Sequence, residues 1–97
     1  CHDAATGKLA WRHDESALGV PMFYTSSSPL VVDGLAVAQV GGQKGAVAAF
    51  DLATGAERWR HAGNGTAYGS LAALDIGGTT AVLAVTTRGL LALGAVD

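Results

Sequence analysis

The sequence predicts an all-β fold made of β-propeller blades, each a small sheet of four short antiparallel strands. Three observations predict it. An eleven-residue stretch recurs at a fixed offset of 48 residues. Short apolar runs alternate with tight turns rich in Gly and Asp. No window carries the 3.6-residue period of an amphipathic helix.

The repeat is the firmest of these. Asp3 to His13 lies over Asp51 to His61 with identity at Asp3/Asp51, Ala5/Ala53, Thr6/Thr54, Gly7/Gly55, Trp11/Trp59, Arg12/Arg60 and His13/His61. A period in the 40s marks a supersecondary unit that cannot bury its apolar faces alone and must stack on a neighbour.

The elements follow in chain order. The first copy of the motif ends in an outer strand near residues 9–13. Ser28 to Val32 is a short apolar strand closed by Asp33-Gly34, a strong two-residue hairpin signal. Leu35 to Val40 is the return strand, and Gly41-Gly42-Gln43-Lys44-Gly45 is the next turn. Ala46 to Phe50 is a third strand. Asp51 to Gly55 is a turn in which the Asp51 carboxylate accepts from loop N–H groups and Gly55 takes a positive φ. Glu57 to Ala62 is a fourth strand carrying Trp59. The order then repeats with Ser70–Ile76, Gly77-Gly78, Thr80–Thr86, Thr87-Arg88-Gly89 and Leu90–Leu93.

The expected organisation is therefore an outer strand at about 9–13, a full blade at about 28–62 and a partial blade at about 70–94. A parallel β-helix has shorter coils and lacks the two-residue hairpins. A sandwich accounts for the strand number but not for the 48-residue identity. Two blades do not close a ring, which takes about 4–8. The chain breaks off at Asp97 inside a third copy of the turn, so it reads as an excerpt of a longer chain, with closure by several copies as the other option.

Composition excludes several classes. Of the 97 residues, 49% are hydrophobic and 14% charged, which excludes a disordered, solvating chain. The net charge is −2 and the basic residues are dispersed from Lys8 to Arg88, so no patch neutralises a phosphate backbone and nucleic acid is not an expected partner. No apolar run reaches the ~20 residues of a membrane span. The single cysteine, Cys1, makes no internal disulfide. No signal peptide is readable behind it.

The stretch from Ala49 through Phe50, Asp51, Thr54 and Gly55 to Trp59 has the form A-x-D-x-x-T-G-x-x-x-W. It resembles the repeat of the pyrroloquinoline-quinone-like β-propellers, which include quinoprotein dehydrogenases and the BamB-type outer-membrane assembly lipoproteins. The resemblance covers essentially the whole chain and implies a quinoprotein-like propeller whose ring is incomplete here. It implies that each tryptophan packs between neighbouring blades while the turn holds the blade contact. Carried over, Ala49, Asp51, Thr54, Gly55 and Trp59, with Asp3, Thr6, Gly7 and Trp11 of the first copy, are blade-docking residues. The first copy departs at Cys1, which stands at the alanine position, and the third at Gly94, which stands where Asp is expected.

The residues themselves agree about the tryptophans. Each buries ~150–250 Å² in such a place, worth roughly 4–6 kcal/mol before entropy is subtracted. The candidates for chemistry read as structure. His13 and His61 are repeat copies on different blades and do not converge on one site. Cys1 and His2 are too few for a zinc site. Asp14-Glu15 lacks the alternating oxygen ligands of a calcium loop and reads as a solvated pair. The Gly41–Gly45 turn joins two strands and opens no helix, so it is no phosphate cradle. Thr25 to Ser28 has no nucleophile elbow and no histidine placed to serve it.

The first inter-blade connector is more informative. Trp11 to Ser28 spans 17 residues and Trp59 to Ser70 spans 11, so the first is six residues longer. The extra length holds Val20-Pro21-Met22-Phe23-Tyr24, and loops carry function more often than scaffolds do. Met22, Phe23 and Tyr24 are the candidate contact surface; the competing reading has them capping the blade core.

The functional expectation is a non-catalytic scaffold for protein–protein interaction, similar to the BamB-type assembly proteins. Its partners are other blades, of the same longer chain or other copies, and possible envelope proteins. No catalytic residue, metal or cofactor is expected. The alternative is a fragment of a quinoprotein dehydrogenase using pyrroloquinoline quinone (PQQ) and calcium, which the resemblance implies would need a stacking tryptophan, a vicinal disulfide and carboxylates. No adjacent cysteines stand in the sequence. The resemblance implies the periplasm or cell envelope, and the low-lysine, alanine- and glycine-rich composition points to a bacterial protein.

Overall fold

The computed structural model describes residues 1–96. Its strands form two antiparallel sheets. The first holds β1 (Leu30–Val32), β2 (Leu35–Val40), β3 (Ala46–Asp51) and β4 (Glu57–Ala62); the second holds β5 (Ala72–Ile76), β6 (Thr79–Thr86) and β7 (Gly89–Gly94). In both, spatial order equals chain order, β1-β2-β3-β4 and β5-β6-β7. This is the up-and-down connectivity of propeller blades, one of four strands and one of three, stacked without closing a ring. Among the described residues there is no α-helix, only a 3₁₀ turn at Ser16–Leu18.

The turns explain the connectivity. Asp33 and Gly34 have φ of 49° and 73°, and Gly77 and Gly78 have 61° and 84°. Positive φ at both central residues is the type I′ geometry whose twist matches the flanking strands, and Asp and Gly are residues that accept it. They fix the registers Val32↔Leu35 and Ile76↔Thr79. Alternation then sorts the side chains. Leu35, Val37 and Gln39 of β2 are buried, while Ala36, Ala38 and Val40 between them are half-buried on the other face.

The core lies between the two sheets. Leu35, Val37, Val47 and Ala49 of the first meet Val82 and Ala84 of the second, joined by Leu71 and Ala95, with Trp59, Leu91 and Leu93 packed against them. Val37 and Val82 are fully buried, each stabilising the stack by ~1.5–3 kcal/mol before entropy is subtracted. A bulge between Ala49 and Phe50 sets Trp59 opposite Ala49, which places its indole on the face toward the second sheet.

Two expectations about extents change. Residues 9–13 form no strand ladder, only a bridge between His2 and Leu9. The equivalent β4 pairs along β3, whereas Lys8, Ala10 and Trp11 bond back across the first turn to Asp3 and Cys1. The strand read from Ser28 begins at Leu30, and the one read from Ser70 begins at Ala72, because the serines are spent tying the two connectors together.

Strand alternation divides the molecule into two ends. The Asp33-Gly34 and Gly77-Gly78 hairpins and both Asp-Thr-Gly turns lie at one end. The Gly41–Gly45 and Thr87-Arg88 turns and both connectors lie at the other.

Candidate functional site

The two copies of the repeated turn have one geometry. Asp51 Oδ1 accepts from the amides of Ala53 at 3.0 Å and Thr54 at 2.9 Å and from Thr54 Oγ1 at 3.0 Å. Asp3 Oδ1 does the same for Ala5 at 2.9 Å, Thr6 at 2.8 Å and Thr6 Oγ1 at 3.0 Å. The Gly55 amide donates to the Asp51 carbonyl and the Gly7 amide to the Asp3 carbonyl, both at 2.8 Å. The donors from Thr6 and Thr54 hold the Asp3 and Asp51 carboxyls below the ordinary aspartate range.

The tryptophans use these turns. Trp11 Nε1 donates to the Leu52 carbonyl at 2.9 Å, and Trp59 Nε1 donates to the Ala95 carbonyl at 2.7 Å. Leu52 and Ala95 are the equivalent residues, each first after the aspartate position of its turn, so each indole reaches into the next sheet's turn. Gly55, at φ 76°, lies so close beneath Trp11 that an added Cβ would fall 2.6 Å from its indole Cγ. Trp11 and His13 also flank the buried Phe50, with ring centroids 6.0 and 4.3 Å away, and His13 Nε2 donates to the Gly55 carbonyl. Of the predicted docking residues, Trp11 therefore meets Gly55 of the following copy, Asp51, Thr54 and Gly55 share one turn, and Ala49 is fully buried in the core.

The connector carrying Met22, Phe23 and Tyr24 crosses the opposite end of the blades. It is fastened at its start, where Arg60 Nη2 donates to Glu15 at 2.7 Å and to Glu57 at 2.7 Å. Glu15 is thus an ion-pair partner rather than half of a solvated pair. The bonds from Arg60 pull the Glu57 carboxyl below its ordinary range, and the two carboxylates push the guanidinium further up. The Gly42 amide donates to the Leu18 carbonyl at 3.0 Å, and a tight turn returns the Tyr24 amide to the Pro21 carbonyl at 3.0 Å.

Tyr68 of the second connector receives the tip. Its hydroxyl accepts from the Phe23 amide at 3.2 Å, and its ring lies 6.0 Å from the Phe23 ring. Ser26 Oγ donates to the Tyr68 carbonyl at 3.2 Å, and the Ser28 amide donates to Ser70 Oγ at 3.0 Å. Met22, Phe23 and Tyr24 stand 85%, 74% and 73% exposed. They do not cap the blade core, and Met22 lines an apolar groove of about 190 Å³ with Pro21, Thr66, Ala67 and Tyr68.

The floor of this ledge rests on residues that the sequence did not single out. Buried Gln39 donates to the Gly69 carbonyl at 2.9 Å and accepts from the Ala67 amide at 3.1 Å. Buried Thr66 donates to the Gly41 carbonyl at 2.7 Å, and Thr87 Oγ1 donates to the Asn64 carbonyl at 2.6 Å. Every buried polar side-chain atom among the described residues has a partner, so the ledge sits on a satisfied and rigid base.

The remaining polar groups have separate partners. His13 and His61 bind different partners, and His61 Nε2 accepts from Asn64 at 2.8 Å. Among the described residues no three His, Cys, Asp or Glu side chains group around a common point. Both indoles donate across the inter-sheet contact, Cys1 is exposed, and the turn carboxylates accept from their own loops.

The family model described as outer membrane protein assembly factor BamB matches residues 1–96. No curated protein and no solved structure matches the chain.

Proposed function

The chain belongs to the family of the outer membrane protein assembly factor BamB, and from that premise we propose that it is a non-catalytic β-propeller scaffold for protein–protein interaction in the cell envelope. In this reading, residues 28–62 are one blade and 70–94 part of the next, with Trp11 of the first motif copy docked on the first blade. Trp11, Trp59, Asp3, Asp51, Thr6, Thr54, Gly7, Gly55 and Ala49 dock the blades. Met22, Phe23 and Tyr24 meet the partner.

The observation that carries the reading is the exposure of three large apolar side chains on a connector that is itself held fast. A mobile loop tip with such residues would collapse onto the nearest apolar surface. Here the Tyr68 hydroxyl and the serine bonds fix the backbone and the three side chains stay exposed, and exposed apolar groups held together in this way mark interaction sites.

A photo-reactive amino acid placed at Met22, and in parallel at Asp33 at the opposite end, tests this in the protein's own cells. The scaffold reading expects discrete protein adducts from position 22 and none from position 33. Adducts from neither position, or the same set from both, would contradict it.

A further inference from the structure

We propose that the ledge takes an extended acidic segment of its partner, with an apolar or aromatic side chain seated in the groove beside Met22 and Tyr68 and flanking carboxylates meeting Lys44 and Arg88. The proposal rests on the scaffold reading and names the chemistry of what that scaffold holds.

The turns at the two ends differ in charge. Asp3, Asp33, Asp51 and Asp75 all lie in or beside the turns of the hairpin end, where Asp75 Oδ1 accepts from the Gly78 amide at 3.0 Å. At the ledge end the turns carry cations instead. Gln43 and Thr87 both line the apolar groove, and each is followed directly by a basic residue, Lys44 and Arg88. Both are exposed. Among the described residues neither joins an ion pair, whereas Arg58 and Arg60 both do. The connector's own carboxylates, Asp14 and Glu15, stand at its far start. Glu15 is held by Arg60 and Asp14 accepts from the Ser16 amide at 2.9 Å.

The groove is therefore apolar along its floor, aromatic along one wall and basic at two neighbouring turns. A basic segment would meet uncompensated like charge there. An uncharged apolar segment would leave both cations unused. An extended segment with carboxylates around one apolar anchor satisfies all three features, the anchor supplying burial and the charges supplying orientation and encounter rate. A concave groove of about 190 Å³ suits a side chain rather than a flat lipid surface.

The test is fluorescence anisotropy with a labelled short peptide, a central Phe between pairs of Asp, against the whole chain. The expected result is saturable binding that weakens about tenfold with Lys44→Glu plus Arg88→Glu and about tenfold with Met22→Ser. Raising salt toward ~1 M, where screening reaches ~3 Å, should weaken it as well. All three positions are exposed, and unchanged circular dichroism melts serve as the fold control. Equal binding of the same peptide with Lys in place of Asp would overturn the proposal. So would charge-reversed protein that binds as before, or binding to anionic lipid vesicles without binding to the peptide. If the acidic peptide fails while the cross-linker at Met22 still captures discrete proteins, the acidic class is wrong and the scaffold reading stands. Failure of both overturns both.

Discussion

Trp59 contributes to the stack in two separable ways, through the area of its indole and through one N–H. Trp59→Phe keeps most of the area and removes the donor to the Ala95 carbonyl, so it should cost ~1 kcal/mol in urea unfolding. Trp59→Ala should cost ~3–5 kcal/mol because it also opens a cavity between the sheets. Equal effects of the two would contradict the division. Gly55 and Gly7 offer a second comparison. Both have positive φ, 76° and 72°, but only Gly55 has an indole against its Cα. Gly7→Ala should cost ~1 kcal/mol, the backbone term alone, and Gly55→Ala clearly more, since Trp11 has to move. Matching losses in the same unfolding measurement would show that Trp11 does not bear on that turn. The identity of the tryptophans and turn residues was legible in the repeat. Their acceptors were not, since a backbone carbonyl such as that of Leu52 or Ala95 leaves no residue-type signal. Gln39 was hidden for a related reason: its place in the second blade is taken by Leu83, so it breaks the repeat, and only the folded connector supplies its partners.

At the level of elements, the hairpins were the most legible part, because Asp33-Gly34 and Gly77-Gly78 demand one turn type and the turn fixes the register. The connectors were least legible. Their length and aromatic content pointed to a surface, but the Phe23–Tyr68 and Glu15–Arg60 contacts join residues more than forty positions apart and follow from the stacking of whole sheets. The Asp-Thr-Gly turns make a prediction of their own in acid. Asp3 and Asp51 titrate below the ordinary aspartate value in the folded chain because of the Thr6 and Thr54 donors. A depressed folded pKa gives stability that is complete above the unfolded pKa, ~3.9, and is lost as the pH falls through the lower folded value. Unfolding free energy followed by circular dichroism should therefore be flat through neutral pH and fall below about pH 4. Asp51→Asn should shrink that fall while leaving the neutral-pH fold intact. A variant with the same acid limb as the parent would show that the turn carboxylate does not contribute to it.

The described residues form a stack with one interface made and two faces left open. The made interface is the core between the sheets. One open face lies on the first sheet, where Trp11, Pro29, Val31, Ala36, Ala38 and Phe50 line an apolar groove of about 290 Å³. The other lies on the second sheet, where Leu74, Ile76, Val85 and Leu90 are exposed on the face away from the core. It is the repeat equivalent of the face that the first sheet already buries. Among the described residues, β7 is the edge of its sheet, where its counterpart β3 has β4. Open blade faces and a free strand edge favour association. The most direct measurement is the mass of the 97-residue chain by light scattering during size exclusion over a range of loading concentrations. Blades with open docking faces predict a mass above the 9.7 kDa of one chain that rises with concentration. A folded species holding at 9.7 kDa at every concentration would contradict it, because the surfaces described here as blade interfaces would then be content in water.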